Sequence, residues 1–441
     1  MKQSADAHAI NGTNVKPDRS RRSIAAAIDP ASPSMSAPRR PRRLLNTCWY
    51  AGSGVPVRKC ISFAVAAIVL SGSAFGAFAS VTPFSRGELA NPESDDERRV
   101  WGQAREFSEA IQKSAVVYPD EAATRYVQSS MDRLFPEFQG NIKVQLLGAP
   151  QLNAFAIPNG NIYMNLGLLA RFQNEAQLAT VLAHEGTHFT HRHGFRSQQN
   201  LKGNAAFATV TAILGVPIVP QLLAISSIFG FSRVMETEAD NVGYERLARA
   251  GYDVHESPKV FEHLAREVKA EGIDEPFFFA SHPKLQERIE NMNKLSTNAP
   301  PGGNGNSRAD YASVMIKVRM DNLESQLSMG RAKSALLMLE DPEHLAELPP
   351  YAQYYLGEAY RLRGGEGDAL RAEQAYLKAV SLSPAFAPSY RALGIYYLKA
   401  NQYSESVKLL SHYLQLVPDA KDRNYVQNYL KIAERKKGGQ P

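Results

Sequence analysis

Residues 174–194 read NEAQLATVLAHEGTHFTHRHG, and this stretch decides the fold around it. Asn174 and Gln177 stand at capping-box spacing, helix formers follow, and Gly194 stands where a C-cap glycine would end the run. Inside the helix so predicted lies HEGTH, His184 to His188. Residues four apart are one turn apart on one face, so the two imidazoles can hold a single metal ion. Glu185 then projects beside that ion, where a carboxylate can take a proton from a bound water. Two histidines make half of a tetrahedral zinc site, so a third protein ligand is required, with a water in the remaining position if the site is catalytic.

The downstream segment SRVMETEADNVGYERLARAGY, residues 232–252, is helix-like and offers Glu236 and Asp240 at i and i+4. Glu236 is expected to bind zinc, and Asp240, one turn on, to accept the N–H of His184 and fix its tautomer. An acidic pair of this spacing is ordinarily a solvated helix face; beside HEGTH it becomes the second half of a site. Asn161 to Leu166 alternates Ile162, Met164 and Leu166 with polar or aromatic neighbours after a Pro158-Asn159-Gly160 turn, which predicts a strand. His282, in ASHPKLQERI, is open to three readings: a third imidazole at the site, a donor to an oxyanion, or a loop residue before Pro283. His191 and His193 are read as structural, suited to the C-terminal dipole of the histidine helix. The run from Gly203 to Ser232 is uncharged and long enough to span a bilayer, yet Pro217 and Pro220 break it and Glu236 must return to the histidines. It reads as a hairpin over the cleft, a lid or plug in peripheral contact with a membrane.

Four ordered motifs, NAFAIPNGNIYMNLGLL (153–169), HEGTH, ETEAD (236–240) and SHP (281–283), together resemble the membrane-associated gluzincin zinc metallopeptidases, the family of HtpX and the CAAX prenyl protease. The resemblance covers the block from 80 to 295 and implies a zincin-type α+β domain, mainly helical with a small sheet. It further implies one Zn2+ per chain held by His184, His188 and Glu236, Glu185 as catalytic base, and His282 as a residue that approaches and gates the zinc. In this family the strand at 161–166 would form an edge beside the metal, to which an extended substrate adds by main-chain hydrogen bonds.

The chain has 441 residues, 44% of them hydrophobic, enough for two or three domains with packed cores. Residues 1–79 hold eleven of the 50 basic residues and three of the 44 acidic ones. Within them, Arg58 and Lys59 precede the uncharged run Ile61 to Ala79, which ends in Ala77-Phe78-Ala79 and reads as a secretory signal peptide, with an uncleaved anchor as the alternative. Without this leader the chain carries 39 basic against 41 acidic residues, so the basic surplus is no nucleic-acid footprint. The only cysteines, Cys48 and Cys60, also lie in the leader.

Residues 296–310 contain NAPPGGNGNS and read as a linker. Beyond it, at 311–437, Leu356-Gly357 and Leu393-Gly394 lie 37 residues apart and Pro384 and Pro418 lie 34 apart, a difference that one insertion at Gly364–Gly367 explains. The pattern resembles the tetratricopeptide repeat, an all-α solenoid offering a concave surface to partners, with a degenerate pair turning at Gly330 before it and a capping helix at 422–436. With leader and repeats the chain resembles the BepA-like branch of the family. That implies a periplasmic zinc endopeptidase acting on protein or peptide substrates, among them misassembled outer-membrane proteins, with the repeats binding substrate or the assembly machinery. The rival reading is a tetratricopeptide scaffold or chaperone with a latent or structural zinc site.

Overall fold

The computed structural model describes residues 81–85, 90–200, 231–272, 285–297, 299 and 308–439. The leader, nearly all of the uncharged run, the SHP motif with His282, and residues 300–307 lie outside these.

Helix α1 (Asp95–Gln112) starts at Ser94, whose Oγ accepts the Glu97 N–H at 3.1 Å, and α2 (Glu121–Leu134) is capped in the same way by Asp120. Strands β1 (Lys143–Leu147), β2 (Ala154–Ala156) and β3 (Asn161–Asn165) form a sheet in the order β1-β3-β2, with β1 parallel and β2 antiparallel to β3. Side chains alternate between the faces. Ile162, Met164, Ala154 and Ala156 join the main core, while Tyr163 and Phe155 turn to Ala104, Phe107 and Ile111 of α1. The strand expected at the edge is thus the central one, because β1 pairs along its whole length, Lys143 with Asn161 through Leu147 with Asn165. The short strand β2 is one of the two edges, the one that lies against the histidine helix. Leu166 already belongs to a short helix, α3 (Leu166–Leu169).

The histidine helix, α4 (Glu175–Thr190), is buried along its full length. Asn174 Oδ1 accepts the Gln177 N–H at 3.0 Å, and Gln177 Oε1 reaches back to the N–H of Gln173, also at 3.0 Å. Both side-chain amides also donate to Glu256. The helix ends earlier than its glycine suggested. Arg192 takes a left-handed φ of 56°, and Gly194 lies within the next helix, α5 (His193–Asn200). A non-glycine residue in that conformation costs about 1–3 kcal/mol and needs a surrounding that fixes it. Here the buried guanidinium of Arg192 is bound by Glu93, Glu97 and the Thr82 carbonyl and lies over the Phe84 ring.

Helix α6 (Arg233–Arg249) crosses α4 so closely that a Cβ on Gly243 would sit 3.2 Å from the Ala183 carbonyl carbon and the His184 nitrogen. Helices α7 (Ser257–Glu271) and α8 (Leu285–Ser296) pack around this pair.

The C-terminal helices are α9 (Arg308–Ser328), α10 (Ala332–Leu339), α11 (Pro342–Ala346), α12 (Ala352–Arg363), α13 (Asp368–Leu382), α14 (Ala387–Lys399), α15 (Tyr403–Leu416) and α16 (Arg423–Lys437). The turn between α9 and α10 carries Gly330 at φ 75°. Tyr311, Met315, Val318, Leu323, Leu336 and Leu339 share one core with the sheet and α4. Tyr311 donates to the Leu169 carbonyl, Arg319 to that of Phe172 and Gln326 to that of Pro150, at 2.7–2.9 Å. Buried Arg171 bridges Glu267 of α7 and Ser334 of α10 at 2.6–2.8 Å. Further on, two packed helix pairs follow, α12 with α13 and α14 with α15. Among the described residues, no helix is long and apolar enough to cross a membrane.

Candidate metal centre

The α4–α6 crossing brings Glu236, in the first turn of α6, to the histidine face of α4. His184 Nε2 and His188 Nε2 are 2.9 Å apart, His184 Nε2 lies 3.6 Å from Glu236 Oε2, and His188 Nε2 lies 3.5 Å from Glu236 Oε1. A tetrahedral zinc ion with bonds of about 2.0–2.1 Å sets neighbouring ligand atoms about 3.3 Å apart. The triangle brackets that spacing, its members are buried, and its donors are two imidazoles and a carboxylate, so the residues fit a zinc ion. Glu185 is buried beside His184.

On the His184 side, Nδ1 lies 2.9 Å from Asp240 Oδ1. Arg288 of α8 grips Asp240 through Nε at 3.1 Å and Nη2 at 2.6 Å, places Nη1 3.5 Å from Glu236, and lies over the Phe261 ring. Burial alone would raise the Asp240 pKa; Arg288 and the His184 hydrogen bond outweigh it and hold it at about 2. Burial likewise works against the charge on Arg288, but Asp240 and Glu236 more than compensate. Removing such a cation would leave buried charge uncompensated.

On the His188 side, Nδ1 lies 2.8 Å from His193 Nδ1, and His193 Nε2 lies 3.1 Å from Glu238 Oε2. Arg196 donates to the same Glu238 oxygen at 3.1 Å. Phe231 stacks on the His188 ring with centroids 3.8 Å apart. Burial pushes the His193 pKa down to about 4 in spite of Glu238, so this ring is neutral at neutral pH; burial lowers His191 too. His193 is therefore no mere occupant of a helix end: it touches a candidate ligand.

The structure brings together His184, His188, Glu236 and Asp240, with Glu185 on the same helix; His282 lies outside the described residues. Arg288, His193, Glu238 and Phe231 join the site without having been expected there. Arg288 stands six residues beyond His282, and Glu238 lies inside ETEAD itself, so both were within reach of the motifs.

Residues 121–296 match the sequence profile of Peptidase family M48. Over 150 residues the chain is 34% identical to the mitochondrial metalloendopeptidase OMA1 of Arabidopsis thaliana, covering 33% of this chain and 30% of that protein. Over 154 residues it is 36% identical to OMA1 of Saccharomyces cerevisiae, covering 32% and 43%. The beta-barrel assembly-enhancing protease of Escherichia coli K12 is 26% identical over 208 residues, covering 43% and 42%. The matched region spans less than half the length of each of these relatives. Profile, relatives and donor triangle converge on one segment: residues 121–296, which match family M48, also carry the grouped His184, His188 and Glu236.

Proposed function

We propose that the chain is a zinc-dependent endopeptidase of the cell envelope that acts on proteins during outer-membrane assembly or its quality control. The observation that carries the reading is the buried triangle of His184, His188 and Glu236 with Glu185 next to His184, within the segment that matches family M48. A bound zinc ion would supply Lewis acidity, lowering the pKa of water and polarising the scissile carbonyl. Glu185 takes a proton from the attacking water and returns it to the leaving amine. Asp240 and Arg288 hold His184 in place throughout. An extended segment of substrate pairs with the edge strand β2, which gives affinity with little sequence preference.

The envelope assignment draws on the name of the Escherichia coli relative, a beta-barrel assembly-enhancing protease, and on the signal-like leader. The helices from α12 to α16 are read as a tetratricopeptide array that selects substrates or docks partners. Its support is a repeated packing motif: a Cβ on Gly357 would lie 2.4 Å from Tyr376, and one on Gly394 would lie 2.8 Å from Leu410. Such small-against-large packing between paired helices is what a repeat needs. His282 is proposed, on the family resemblance, to gate the zinc.

The test compares zinc content and casein cleavage in wild type, Glu185→Gln and His282→Ala. Glu185→Gln is expected to keep one zinc and to lose about 10²–10⁴-fold in rate; retained cleavage overturns the peptidase reading. His282→Ala is expected to cleave faster, and an unchanged rate removes the gate.

A further inference from the structure

We propose that His193 is a positioning residue of the metal centre, the middle link of a chain from His188 to Glu238 that fixes the His188 ring for metal binding. This rests on the zinc reading above.

A histidine that gives Nε2 to a metal carries its proton on Nδ1, and that proton needs an acceptor. His184 meets a carboxylate directly, with Asp240 at 2.9 Å. At His188 the neighbour is another imidazole, with Nδ1 to Nδ1 at 2.8 Å. Two ring nitrogens that close share one proton, so one ring donates and the other accepts. Metal on Nε2 sets the direction. His188 donates, His193 accepts on Nδ1, and the proton of His193 must then sit on Nε2. There Glu238 Oε2 accepts it at 3.1 Å, itself held by Arg196. Each tautomer follows from the one before, and the chain ends on a carboxylate, as the direct contact at His184 does.

The backbone explains how the fifth residue after His188 gets there. On an unbroken helix, residue i+5 lies about 140° round from residue i. The left-handed turn at Arg192 ends α4 and swings His193 back onto the His188 ring. Arg192 in turn is clamped by Glu93 and Glu97, so the N-terminal helix α1 secures the turn that positions the second imidazole. The acceptor for a metal-bound imidazole is ordinarily a carboxylate, a carbonyl or a water; here it is a histidine, the first residue of the next helix.

The experiment measures the zinc dissociation constant by competition with a chromophoric chelator, and the unfolding midpoint of the metal-free protein, for wild type, His193→Phe, His193→Gln and Glu238→Leu. His193→Phe keeps a ring of similar size without an acceptor and should weaken zinc binding about 10–100-fold. His193→Gln offers a side-chain oxygen in place of Nδ1 and should recover most of that loss. Glu238→Leu, at a half-exposed position, should weaken binding in the same direction by less, and it stands in for His193→Phe should that variant not fold. Zinc binding within twofold of wild type in the Phe or Leu variant overturns the proposal. Equal losses for Phe and Gln also overturn it, since a space-filling role would not distinguish an acceptor. If wild type binds one zinc and only these outcomes fail, the peptidase reading stands; a wild type that takes up no zinc overturns both.

Discussion

The metal centre and the C-terminal helix pairs are held together by different forces. Around the histidines, charges balance one another: buried Arg288 lies between buried Asp240 and Glu236, and buried Arg192 lies between buried Glu97 and exposed Glu93. Between α12 and α13, and between α14 and α15, the fit is one of size, glycine against tyrosine in one pair and glycine against leucine in the other. A buried charge demands its partner wherever in the chain that partner lies, and here the partners come from α1 and the residues before it, the turn after α4, α6 and α8. Size matching needs only the neighbouring helix, and so it can recur at a fixed interval. The metal centre should therefore fail through loss of charge balance, and the helix pairs through overpacking.

Arg288→Met should break the first region most severely. It leaves the buried carboxylates of Asp240 and Glu236 without their cation, a loss of about 3–5 kcal/mol by analogy with other broken buried pairs. Urea unfolding of the metal-free protein measures it. Zinc, itself a dication at Glu236, should restore part of the loss, so the deficit should shrink when metal is present. A variant as stable as wild type without metal would show that charge balance does not hold this region. Gly357→Ala attacks the second region. Its new methyl group meets the fully buried Tyr376, and overpacking of this kind costs about 1–3 kcal/mol. Zinc affinity should not change, and a parallel loss of zinc binding would mean that the two regions are not separable in this way.

The same contrast governs what could be read from sequence. HEGTH was legible because i,i+4 spacing on a helix is local geometry, and the Leu-Gly pairs were legible because the second recurs 37 residues after the first, a 34-residue interval with one insertion. Glu236 and Asp240 were legible as a pair on one helix, and resemblance joined them to the histidines. The contact from His193 to His188 was not legible. It depends on one left-handed residue, Arg192, whose conformation is set by glutamates about a hundred residues earlier. Gly194 as the C-cap pointed to a later helix end. The alternation at 161–165 gave the strand but not its neighbours, since a parallel partner lies across a connection that alternation cannot see. The three-residue strand β2 is too short to announce itself, although it is the edge that faces α4.

The smallest expected effect lies at the seam between the two regions, where Arg171, His263, Arg266, Met338, Asp341 and His344 line one small pocket. Burial, helped by the cations Arg266 and Arg171, lowers the His263 pKa from 6.5 to about 4. The folded protein thus favours the neutral ring. Above pH 6.5 the ring is neutral in folded and unfolded chains alike, and its contribution to stability is complete. As pH falls below 6.5 the unfolded chain takes up the proton first, and stability declines until the folded ring also titrates near pH 4. Between pH 7.5 and 5.5 this amounts to a loss on the order of 1 kcal/mol. His263→Gln should flatten that part of the pH dependence, measured as the difference in unfolding free energy between the two pH values. Equal slopes in variant and wild type would place the seam with the helix pairs, governed by packing. A flatter slope places it with the metal centre, where what is buried must also be balanced.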